Sequence, residues 1–112
     1  MTGPAAPFVV LVTTPSTEAG LELGRVLVDE RLAACVNVLP GVTSIYRWEG
    51  KREEAAEALL LIKTGQDRYA ALERRVLELH PYSVPEVLAL PIQTGAPAYV
   101  RWVQESVTGE GR

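Results

Sequence analysis

The stretch Ala58-Leu-Leu-Leu-Ile62 is apolar at every position, and no other feature limits the folds open to this chain so sharply. A β-strand turns alternate side chains to opposite faces of its sheet. Read as a strand, the segment puts Glu57, Leu59, Leu61 and Lys63 on one face and Ala58, Leu60, Ile62 and Thr64 on the other. Both faces are largely apolar. Helices packed on a small sheet cover one face only, and wetting the other forfeits several kcal/mol at about 25 cal/mol per Å². Either a second subunit covers that face or the terminal helix carrying Trp102 does. The long hairpin that ends in this strand favours a second subunit, because it overhangs a small domain and offers edges for pairing between chains.

The rest of the chain supplies partners for that strand. Phe8 to Val12 is a short uncharged β-rich run, the pattern of a buried strand. Ser16 or Thr17 can cap a helix with Ala19, Leu23, Val26 and Leu27 on its apolar stripe, although Gly20 and Gly24 each weaken it by roughly 1 kcal/mol. Ala33 to Leu39 reads as a second strand, interrupted at Pro40-Gly41 and resumed from Thr43 to Trp48. Glu49-Gly50 is a tight turn that sends Arg52 to Thr64 back antiparallel. A second helix follows Gly65, with stripe Tyr69, Leu72, Val76 and Leu79, and Pro81 stops it. Glu86 to Leu90 is a fourth strand, and Pro97 opens a last helix with Tyr99, Trp102, Val103 and Val107 on its apolar side. The order β-α-β-β-α-β plus a terminal helix predicts an α+β, ferredoxin-like domain over residues 8–107, with an antiparallel sheet and helices on one face. Residues 1–7 and 108–112 are expected to be flexible ends.

Composition removes several function classes. At 112 residues one domain is expected, and 47% apolar residues suffice for a core. A net charge of −3 gives no reason to expect nucleic acid or a membrane as partner. The single cysteine cannot form an internal disulfide, and the first apolar run is too short for a signal core or a membrane span, so a cytoplasmic protein is expected. With one histidine, no G-x-S-x-G, no H-E-x-x-H and no glycine-rich phosphate loop, the familiar catalytic patterns are missing and the chain reads as a non-enzyme.

Two sets of residues remain. His80 could bind a metal with Glu86, with Cys35 or with groups of a neighbouring subunit; it is better placed to bond the free carbonyls at the end of its own helix and meet its negative dipole end. Cys35 lies in an apolar strand, where a free thiol more often serves as a small buried hydrophobe than as a ligand. Tyr46 and Trp48 share a hairpin face, Lys63 and Glu57 share a face of the third strand, and Tyr82 and Glu86 flank the turn after His80. Rings with a few charges suit a ligand cleft or an interface between chains.

The runs Glu30-Arg-Leu-Ala-Ala-Cys-Val-Asn-Val38 and Pro40-Gly-Val-Thr-Ser-Ile-Tyr-Arg-Trp-Glu-Gly50 resemble the CutA divalent-cation tolerance family. So do Ile62-Lys-Thr64, His80-Pro-Tyr-Ser-Val-Pro-Glu86, Leu90-Pro91 and Tyr99-x-x-Trp102, in the same order. The resemblance implies a homotrimer built like the nitrogen-regulatory PII signalling proteins, with no catalytic activity and a response to divalent metal, copper above all. It also implies inter-subunit clefts near Cys35, Tyr46, Trp48, Lys63, His80, Tyr82, Glu86 and Trp102. Copper-binding members can carry a cysteine in the first strand and a second histidine before His-Pro-Tyr; here Val12 and Leu79 stand at those places. An alternative expectation is a PII-like sensor or assembly scaffold, in which Lys63 and Arg47 meet a small anionic effector and no tight metal site exists.

Overall fold

The computed structural model describes residues 6–108. The chain runs β1 (Pro7–Thr14), α1 (Thr17–Asp29), β2 (Cys35–Trp48), β3 (Lys51–Gly65), a 3-10 turn (Gln66–Arg68), α2 (Tyr69–Leu79), β4 (Val87–Pro91) and α3 (Pro97–Val107). All pairings are antiparallel, in the order β2-β3-β1-β4. This is the expected ferredoxin-like α+β plan. The expected ends lie mostly outside the described residues; of those within, Pro7 pairs with Gly65 and so belongs to β1 rather than to a flexible end.

One sheet face is closed by α1 and α2. Val10, Val12, Leu60 and Ile62 from the strands meet Leu23, Leu27, Leu72 and Val76 from the helices in a single buried cluster. The two glycines of α1 belong to this contact. A Cβ at Gly20 would sit 2.9 Å from Leu60 Cδ1, and one at Gly24 would sit 3.2 Å from Val36 Cγ1. The buried stripe therefore centres on Gly20, Leu23, Gly24 and Leu27, with Ala19 and Val26 only half-buried. Glycine weakens the helix locally and lets it lie close on the sheet.

The opposite face stays open. Leu39, Leu88 and Leu90 are 39%, 57% and 49% exposed there, beside half-buried Leu11, Leu59 and Leu61. Helix α3 does not cover this surface. It buries Val103 and Val107, whereas Tyr99 and Trp102, expected on its apolar side, are exposed. Its Tyr99 reaches only the Cys35 end of the open face. Leu79 is likewise exposed, because α2 ends where its stripe would complete another turn.

β2 is one strand of 14 residues, with a register shift between Leu39 and Val42 where Gly41 takes a positive φ. β1 stops opposite Ala58, so beyond that row β2 and β3 continue as a two-stranded arm. Glu49 and Gly50 turn the arm with positive φ at both positions, the conformation that suits a two-residue hairpin. The arm gives the molecule its 50 Å long axis against 26 and 22 Å across.

Candidate functional site

Where β1 ends, the edge of β3 is free, and the turn from His80 to Glu86 packs beside it. Between this turn and the arm lies a cleft of about 540 Å³, walled by Tyr46, Trp48 and Tyr82 and carrying Glu57 and Glu86. Thr13, Ser44 and Ser83 add hydroxyls to its lining. Val42, which pairs with Glu57, starts the alternation that turns Ser44, Tyr46 and Trp48 to the same side as Glu57. The periodicity of the hairpin thus assembles the wall.

Tyr82 Oη donates to Glu57 Oε2 at 2.7 Å. Burial, then this bond, then the charges of Glu57 and Tyr46 push the Tyr82 hydroxyl up to about 12. Glu86 is also raised from the usual carboxylate range, first by burial and then by the charge of Glu57. Among the described residues no lysine, arginine or histidine lines the cleft. It is an aromatic slot with uncompensated negative charge.

His80 is buried behind this wall, 9% exposed. Its side chain does not bond the carbonyls of its own helix, as one reading of the sequence expected. Nε2 lies 2.7 Å from the Thr13 carbonyl oxygen on β1, and Nδ1 accepts from the Tyr82 amide at 3.2 Å.

The expected site residues divide between two ends of the sheet. Tyr46, Trp48, Tyr82 and Glu86 converge on the cleft. Lys63, Cys35 and Trp102 do not. Lys63 is six residues along β3 from Glu57, about 20 Å away, and its amine bonds Asn37 Oδ1. Cys35 pairs with Lys63 in the sheet, has Tyr99 beside it, and Tyr99 in turn stacks on Trp102 with ring centroids 5.5 Å apart. Trp102 lines a separate groove with Val28 and Arg31. Glu57 was legible as a polar position of β3 but not as the anchor of Tyr82; its place beside the end of β1 depends on where that strand stops.

The metal that the resemblance implies can be tested against these positions. His80, Cys35 and Glu86 do not form one donor set within a chain: Cys35 lies four residue rows from the Thr13 row that holds His80, about 13 Å along the strands alone. The one lone pair of a neutral His80 ring is engaged by Tyr82, Val12 is fully buried in the core, and Leu79 has no donor atom. Among the described residues no group of three or more His, Cys, Asp or Glu side chains could hold a metal ion. The expected ligand set does not fit a tight metal centre in a single chain.

The fold and the cleft together define a small ferredoxin-like α+β protein with a ligand-sized recess at the root of a hairpin arm. Comparison with known proteins narrows this further. The family model described as "CutA1 divalent ion tolerance protein" matches residues 8–106. The divalent-cation tolerance protein CutA of Thermus thermophilus is 52% identical over 98 residues, covering 88% of this chain and 95% of that one. The chloroplastic protein CutA of Arabidopsis thaliana is 49% identical over 99 residues, and the match spans 54% of its length. The crystal structure of CutA1 from Oryza sativa superposes with a TM-score of 0.91 at 45% identity, covering 95% of this chain and 97% of that one. The chain belongs to the CutA1 divalent ion tolerance family. No helix among the described residues is long and apolar enough to cross a membrane.

Proposed function

We propose that this chain acts as a cytoplasmic homotrimer in the response to divalent cations, without catalysing a reaction. The observation that carries the assembly is the open sheet face. Leu39, Leu88 and Leu90 stand exposed beside Leu11, Leu59 and Leu61, a patch whose natural cover is other copies of the same chain, with the arms reaching across. The number three comes from the family resemblance.

The cleft is where a cation would act. Glu57, Glu86 and the Tyr82 hydroxyl offer oxygen only, the donor type of hard divalent ions and not of Cu(I), which prefers thiolate or thioether. Binding by one chain is accordingly weak, and copper tolerance through this protein does not rest on a tight thiolate centre. A second reading, a PII-like sensor of a small molecule or an assembly scaffold, draws support from the size of the cleft and its aromatic walls. An anionic effector would need Lys63 or Arg47 supplied by a neighbouring subunit, since neither lines the cleft.

Light scattering and calorimetry test the proposal. The expected mass is three times the 12.2 kDa chain. Titration with Cu(II) and Zn(II) should give weak heats that vanish in the Glu57→Gln, Glu86→Gln double variant. A monomer refutes the assembly, and unchanged heats in the variant refute the site.

A further inference from the structure

The only histidine of the chain is held at both ring nitrogens by backbone groups that permit one arrangement. A carbonyl oxygen can only accept, so Nε2 carries the hydrogen that meets Thr13 at 2.7 Å. A backbone amide can only donate, so the Nδ1 lone pair faces Tyr82 N–H. The ring is thus the neutral Nε2–H tautomer, an assignment set by its partners. Metal binding needs a free imidazole lone pair, and the one available already receives the Tyr82 amide.

The contacts continue beyond the imidazole. The His80 and Tyr82 rings pack with centroids 4.7 Å apart, and Tyr82 Oη goes on to Glu57. A connected path of Thr13, His80, Tyr82 and Glu57 therefore runs from β1 to β3 through the turn that walls the cleft. Among the described residues no other side-chain hydrogen bond ties residues 80–86 to the sheet.

We propose that His80 is a positioning residue rather than a metal ligand: it latches the 80–86 turn to β1 so that Tyr82 and Glu86 stand in the cleft. The latch is independent of what occupies the cleft; only its bearing on cation binding rests on the proposed function. The geometry of Nδ1 accepting from an amide two residues ahead is that of an Asx turn, which asparagine can reproduce through its side-chain oxygen. His80→Asn thus keeps the Tyr82 half of the latch, and His80→Ala keeps neither half.

Nitrogen NMR of the single imidazole and amide exchange decide the matter. Wild type should show a protonated Nε2 and an unprotonated Nδ1, both unmoved by saturating Zn(II). The Tyr82 amide should be protected in wild type and in His80→Asn, and lose at least tenfold protection in His80→Ala, while amides of β1 and β3 keep theirs. A Zn(II)-dependent shift of either ring nitrogen overturns the proposal, as does an Nδ1–H tautomer or a Tyr82 amide indifferent to His80→Ala. If Zn(II) fails to bind anywhere, the proposed function falls, while tautomer and exchange still judge the latch.

Discussion

Replacing Gly20 by alanine sets two effects of known sign against each other. Within a helix the change is favourable by about 1 kcal/mol, because glycine loses more backbone freedom on folding. Against this, the new methyl would lie 2.9 Å from Leu60 Cδ1, 3.0 Å from Thr14 Oγ1 and 3.3 Å from Val38 Cγ1. Carbon atoms prefer roughly 3.5–4.0 Å, so the methyl is too close to three neighbours, one on each of β1, β2 and β3, two of them fully buried. Helix α1 must lift from the sheet, and overpacking of this kind costs about 1–3 kcal/mol. The net expectation is a loss of about 1 kcal/mol, up to 2. Gly24→Ala is the control. Its methyl meets only Val36, at 3.2 Å or more, on a half-buried strand that can yield by a few tenths of an ångström. There the helix gain and the contact nearly cancel. Urea unfolding of both variants at one protomer concentration measures the difference, since the proposed assembly would make apparent stability depend on concentration. Gly20→Ala proving as stable as Gly24→Ala would refute the claim that glycine sets the approach of α1.

Other perturbations probe the cleft and the open face. Leu88→Glu with Leu90→Glu places two charges on the exposed apolar patch, and light scattering should show the proposed oligomer dissociating while far-ultraviolet dichroism is kept; an unchanged mass would clear that face of any role in assembly. Burial and Glu57 raise the Glu86 carboxyl above its ordinary 4.5, so the group favours the fold at pH below 4.5 and that contribution is lost as pH rises through the raised value. Glu86→Gln should therefore melt higher than wild type at pH 7 and level with it at pH 4; the same difference at both would contradict the shift. The Tyr82 hydroxyl, pushed up to about 12, should give a late step in an alkaline absorbance titration, and Tyr82→Phe should remove that step alone.

The sheet was readable because its signals are local and strong. The double-sided β3, the Glu49-Gly50 turn and the interruption at Pro40-Gly41 each stand on a few adjacent residues, and each appears where the pattern places it. The buried side of α1 is less legible for the opposite reason: hydrophobic periodicity gives glycine no weight, although Gly20 and Gly24 lie buried against the sheet with little room for a Cβ. Tyr99 and Trp102 misled in the reverse sense, being large, apolar and exposed. The cleft was legible as a composition, since Tyr46, Trp48, Tyr82 and Glu86 were all marked. What assembles it was not. That Glu57 anchors Tyr82, and that Lys63, Cys35 and Trp102 stand elsewhere, follows from where β1 stops and how far each residue lies along β3. His80 was read by its position at a helix end, whereas its partner is 67 positions away on β1.

The arm from Val42 to Glu57 also behaves as a ruler. Among the described residues no third strand pairs with it, so its length can change without disturbing the core, and each added residue pair moves the tip outward by about 3.3 Å. One pair would exchange the sides on which Tyr46 and Trp48 stand with those of Ile45 and Arg47, whereas two pairs restore them. Functional lengths of this arm are therefore spaced in steps of about 7 Å. A designer wishing to alter the reach of the hairpin has to work in those increments and keep the two positive-φ residues at its tip.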